Sequence, residues 1–85
     1  MDREQVEMEA VENALKVLHE NVMKRIRKHG MGKFASPHEA YGVLAEEVDE
    51  SLDELRLNKR EEFVQEMLDV AVTGIWAYVS LKEKK

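Results

Sequence analysis

Three apolar stripes run along this chain, separated by two short breaks. Val11, Leu15, Leu18, Val22 and Ile26 recur at steps of four, three, four and four, the repeat of one face of an amphipathic helix. Lys24, Arg25, Arg27 and Lys28 crowd the last turns before His29-Gly30, where cations complement the helix dipole and glycine can close the helix. The spacing predicts a first helix over about residues 2–29. After a loop, Ser36-Pro37-His38-Glu39 supplies an N-cap serine, a proline at the first helical position and a glutamate at the third, which together make a capping box. The second helix therefore runs over about residues 37–57, with Tyr41, Leu44, Val48, Leu52 and Leu55 as its stripe and a stop near Leu57-Asn58. The third, over about residues 60–82, carries Val64, Leu68, Ala71, Ile75 and Val79 as its inner stripe. From Met67 to Val79 it is apolar almost all round, which predicts burial on most sides. There is no strand-like alternation, internal repeat or low-complexity tract. The fold expected is all-α, one helical domain over residues 1–85.

Length adds a constraint that the pattern does not show. A chain of 85 residues buries only about 60 to 65% of the surface it exposes when unfolded. It has no cysteine, so neither disulfides nor a thiolate zinc site can add stability. Self-association is the remaining source of buried area, and a homo-oligomer is expected. The net charge of -5 disfavours nucleic acid or an anionic membrane as the main partner. The longest apolar stretch, Val70 to Val79, is interrupted by Thr73 and Gly74 and is far short of the ~20 residues of a membrane span. Met1-Asp2-Arg3-Glu4 does not resemble a secretion signal, so a soluble, cytoplasmic protein is expected.

Candidate chemistry lies in two acidic segments. Glu46-Glu47-Val48-Asp49-Glu50 is followed, after a spacer of fifteen residues, by Glu66-Met67-Leu68-Asp69. Glu47 with Glu50, and Glu66 with Asp69, are spaced i, i+3, so each pair projects from one side of its helix. On the second helix Glu46, Glu47, Glu50, Asp53 and Glu54 cluster opposite Tyr41, Leu44, Val48 and Leu52, which alone describes an ordinary solvated face. Glu66 and Asp69 are different, because they interrupt a helix expected to be buried. Buried carboxylates need a compensating partner, supplied either by lysine and arginine or by a divalent metal. Oxygen ligands without cysteine or an evident histidine favour Mg²⁺ or Mn²⁺ over zinc.

The order E-E-x-x-E, fifteen residues, then E-x-x-D ahead of a long apolar helix resembles the MazG-type all-α nucleoside triphosphate pyrophosphohydrolases. The likeness covers roughly Ser36 to Val79, and the run His38-Glu39-Ala40-Tyr41-Gly42-Val43-Leu44-Ala45-Glu46-Glu47 looks most like small phage and prophage members. The resemblance implies a four-helix-type core completed by dimerisation, as a homodimer or homotetramer. It implies Mg²⁺ held by Glu47, Glu50, Glu66 and Asp69, with Glu46 in an outer shell or orienting the attacking water. The implied reaction cleaves a nucleoside triphosphate between its α and β phosphates to the monophosphate and pyrophosphate. Many relatives continue past the second motif into a helix that brings lysine, arginine or asparagine to the substrate; here those contacts would have to come from a neighbouring subunit or be absent.

Metal reconciles the acidity with such a substrate, since a triphosphate with close to four negative charges cannot approach clustered carboxylates without cations between. Gly30-Met31-Gly32-Lys33 lacks the spacing and the hydroxyl residue of a P-loop. Lys33, Lys59 and Arg60 are candidate phosphate contacts, each weighed against ordinary surface charge. His38 reads as an exposed first-turn residue. Asn13, His19 and Asn21 are neutral polar groups on the first helix, but their spacing singles out no base pocket. Trp76 and Tyr78 read as core or oligomer packing before nucleobase stacking, and Met8, Met23, Met31 and Met67 as gap-filling core residues. The competing reading is a non-catalytic helical interaction or assembly module whose acids form a surface and a set of salt bridges.

Overall fold

The computed structural model describes residues 2–82. It is all-helical, with α1 over Met8–His29, α2 over Pro37–Arg56 and α3 over Arg60–Lys82. The chain divides into two compact units, residues 1–30 and 31–85. No helix among the described residues is long and apolar enough to cross a membrane.

The first unit is α1. It begins at Met8 rather than near Asp2, and Glu7 stands at its N-cap without a side-chain capping bond. The stripe explains the late start: Met8 extends it by one step upstream of Val11, but the next position back is the charged Glu4. Gly30 ends the helix as expected, with φ of 81° and its N–H donating to Ile26 O at 2.7 Å.

The second unit is a hairpin of α2 and α3 preceded by a strap over residues 31–36. Ser36 caps α2 by accepting from Glu39 N at 3.1 Å, and Pro37 takes the first helical position. The reciprocal bond is shifted one residue outward from the expected box, since Glu39 Oε1 accepts from Ala35 N. At the other end Asn58 N donates to Leu55 O at 3.1 Å and Lys59 N to Glu54 O at 2.9 Å, the paired bonds of a Schellman turn. Asn58 holds the left-handed position of that turn, φ 58°. Lys59 O then accepts from Phe63 N at 2.9 Å, so one three-residue connection stops α2, starts α3 and turns the two antiparallel.

The packing face differs from the expected stripes. Buried positions are Ala40 and Ser51 on α2, and Val72, Thr73, Trp76 and Ser80 on α3. The seam is built from small and hydroxyl side chains around one tryptophan, and Ser51 Oγ satisfies itself on Val48 O at 2.6 Å. Tyr41, Val48, Leu52 and Leu55, expected to form an inner stripe, are exposed, and so are Val64, Ala71, Ile75 and Val79 of α3. α3 is thus buried along one face, not on most sides. Met31 and Met67, expected to fill core gaps, are exposed in this unit.

The strap is fixed to α3 at two points. Trp76, 6% exposed, donates from Nε1 to Gly32 O at 2.8 Å. Ser80 Oγ accepts from Phe34 N at 3.1 Å. Both anchors lie on the stripe Asp69, Thr73, Trp76, Ser80, spaced four, three and four along one face of α3.

Candidate functional site

The acidic segments meet because the hairpin folds them together. Counted outward from Asn58, Glu50 on α2 is level with Glu66 on α3, and Glu47 is level with Asp69. Glu66 is half-buried, and its carboxyl is pushed above the usual carboxylate range. Desolvation is the largest cause, followed by repulsion from Asp69, Glu50, Glu54 and Glu47. The charges raising it come from both helices, which places the four expected ligands in one electrostatic cluster.

Glu54 is the member that sequence reasoning left on the solvated face. It lies one step of four beyond Glu50 and one heptad beyond Glu47, so the signal was present in the spacing. Its Oε1 is buried with no hydrogen-bond partner among the described residues, and Glu47 Oε1 is equally shielded from solvent. Asp69 Oδ1 accepts from Gln65 Nε2 at 3.3 Å, a contact within α3 that orients the carboxylate. Glu46 is exposed and turned about 100° from Glu47 around α2. It is not one of the carboxylates that raise Glu66.

The donor set is carboxylate oxygen, the chemistry of a hard divalent cation. A buried carboxylate oxygen on Glu54 and a carboxyl raised by its neighbours are what a cation would relieve, so the donor chemistry fits Mg²⁺. The spacing is open: among the described residues no three His, Asp or Glu side chains stand close enough to form a closed ligand set.

The three candidate phosphate contacts separate to opposite ends of this cluster. Lys33 belongs to the strap, whose anchor Trp76 is two turns, about 10 Å, beyond Asp69 along α3. Lys59 ends the hairpin turn and Arg60 begins α3, and both line a shallow pocket of about 250 Å³ with Glu54, Leu55, Asn58 and Phe63. His38 is exposed near the start of α2, as expected.

Trp76 is buried and committed to Gly32, consistent with a packing role. Tyr78 is 60% exposed with Lys82 Nζ 5.4 Å from its ring centroid, a cation–π contact at the surface. On α1, Asn21 Nδ2 donates to Val17 O at 2.8 Å, which engages its amide within the helix. His19 and Asn21 border a shallow depression whose lining residues all belong to α1. No protein-family model, curated protein or solved structure matches the chain.

Proposed function

We propose that this chain is a Mg²⁺-dependent nucleoside triphosphate pyrophosphohydrolase of MazG type, acting in the cytoplasm as a homodimer or homotetramer. The observation that supports the reading is the pairing of the two acidic segments across the α2–α3 hairpin, with the carboxyl of half-buried Glu66 raised by burial and by Asp69, Glu50, Glu54 and Glu47. Such an arrangement costs stability unless a cation offsets it. Glu47, Glu50, Glu66 and Asp69 would hold the ion, with Glu54 as a further carboxylate beside them. Bound Mg²⁺ supplies phosphate neutralisation and a water of lowered pKa. The protein would orient the triphosphate along the acidic face, and one of these carboxylates would accept the proton of the attacking water. Glu46, on the exposed flank, is assigned an outer position from the resemblance alone.

The second reading is a non-catalytic assembly module, favoured by the exposed apolar stripes of α2 and α3. One experiment separates the two. A panel of ribo- and deoxynucleoside triphosphates is incubated with the protein and Mg²⁺, and monophosphate and pyrophosphate are quantified, with EDTA and Glu50→Gln as controls. Pyrophosphate release abolished by both controls supports the enzyme. Silence across the panel, together with no Mg²⁺ shift in melting temperature, overturns it and leaves the assembly module.

A further inference from the structure

We infer that Gln65 is a positioning residue for the cation, engaging one oxygen of Asp69 and so selecting Mg²⁺ against Ca²⁺. The inference rests on the cation site proposed above and adds to it a neutral residue outside the two acidic segments. Gln65 Nε2 donates to Asp69 Oδ1 at 3.3 Å, across one helical step of four. An ionised carboxylate can only accept, so the amide must present its NH₂ group to it. At 100° per residue around α3, Asp69 lies about 40° from Gln65 and about 60° from Glu66, between the two. The amide therefore reaches Asp69 from the flank opposite Glu66, the other acid of its pair.

The chemistry of the donor matters as much as its place. A neutral amide fixes the carboxylate without cancelling its charge, whereas lysine or arginine at position 65 would compete with the cation for it. Gln65 is exposed and Asp69 half-buried, so removing the amide disturbs the carboxylate more than the packing. Hydrogen bonds from behind a metal ligand typically govern metal affinity by roughly 10- to 100-fold. They also limit how the ligand can bind. Ca²⁺ takes six to eight oxygens and readily accepts both oxygens of one carboxylate, while Mg²⁺ demands near-ideal octahedral geometry at about 2.1 Å. At that distance the two oxygens of a carboxylate subtend only roughly 60°, too narrow for an octahedron, so Mg²⁺ takes one. With Oδ1 engaged by Gln65, Asp69 can offer Oδ2 alone without losing its hydrogen bond, and the restriction falls on Ca²⁺.

The test titrates Mg²⁺ and Ca²⁺ separately into the whole chain by calorimetry, for wild type, Gln65→Met and Gln65→Lys. Methionine keeps the length and the helix propensity and removes the donor, and lysine keeps a donor but adds charge. Wild type is expected to bind Mg²⁺ more tightly than Ca²⁺. In Gln65→Met the Kd for Mg²⁺ should rise about tenfold or more, and the preference for Mg²⁺ over Ca²⁺ should fall by a similar factor, with metal-free melting little changed. Gln65→Lys should weaken both cations. A preference that stays within about twofold of wild type in Gln65→Met overturns the inference and leaves the cation site standing, because a merely structural role would weaken both ions alike. Wild type that prefers Ca²⁺ overturns it too. Wild type that binds neither cation overturns the proposed enzyme and this inference together.

Discussion

Replacing Trp76 by phenylalanine removes one hydrogen bond and part of one ring, and the structure sets the cost. The indole N–H donates to Gly32 O at 2.8 Å, and a net hydrogen bond of this kind contributes about 1 kcal/mol. Gly32 is exposed, so water can reach its carbonyl once the donor is gone, which keeps the loss near that value and away from the full penalty of a buried orphan. The side chain is 6% exposed, and phenylalanine buries roughly 40 Å² less, adding about 1 kcal/mol at 25 cal/mol per Å². The expected loss is therefore about 2 kcal/mol, or roughly 8–16 °C in Tm for a domain this size. Ser80→Ala removes the acceptor of Phe34 N and should cost about 1 kcal/mol. Both bonds hold the same strap, at Gly32 and at Phe34, so losing either loosens the other. The double variant should fall short of the summed losses by about 0.5 kcal/mol or more. Urea titration followed by far-ultraviolet circular dichroism is the assay, since Trp76 is the single tryptophan and its fluorescence disappears with it. Amide exchange over residues 32–36 should accelerate in each variant. A Trp76→Phe loss below ~0.5 kcal/mol, or strictly additive losses, would refute the two-point clamp.

Two further expectations concern the acids and the turn. Glu66 binds its proton more tightly in the folded chain than at its ordinary 4.5, so the native state holds more protons and metal-free stability falls as pH rises from about 4.5 through the folded value. The slope from this one group is at most about 1.4 kcal/mol per pH unit, and Glu66→Gln should remove it and raise Tm at neutral pH; a Tm that falls in Glu66→Gln would contradict the repulsion. Asn58→Gly should change stability little, whereas Asn58→Val should cost about 1–2 kcal/mol because a β-branched residue resists φ near +58°. Equal melting of those two variants would show that the Schellman turn does not depend on the left-handed residue.

Much of the secondary structure is written in short-range chemistry. Ser36-Pro37 and Glu39 start α2, Gly30 ends α1, and Leu57-Asn58 mark the hairpin turn, all within the few residues whose groups bond one another. The first helix is the exception: it starts at Met8, without a side-chain capping bond at Glu7, where its apolar stripe begins. Of the candidate site, the i, i+3 pairs Glu47/Glu50 and Glu66/Asp69 were legible because helical periodicity alone puts each pair on one face. Glu54 was hidden, because an acid beside other acids reads as a solvated surface until a second helix is set against it.

What only the tertiary structure decided is which face of each helix turns inward. Hydrophobic periodicity nominates Tyr41-Val48-Leu52 and Val64-Ile75-Val79, yet the hairpin closes through Ala40, Ser51, Thr73, Trp76 and Ser80. Small side chains let two helices joined by a three-residue turn lie against each other, and the hydroxyl groups and the indole find hydrogen bonds that leave little polar cost. An apolar stripe records that water must be excluded from it, but not whether the same chain does the excluding. The sequence by itself therefore determined three helices and the acids they carry. The pairing of α2 with α3 determined that five of those acids share one seam, because electrostatic repulsion depends on distances across the chain that no local pattern encodes.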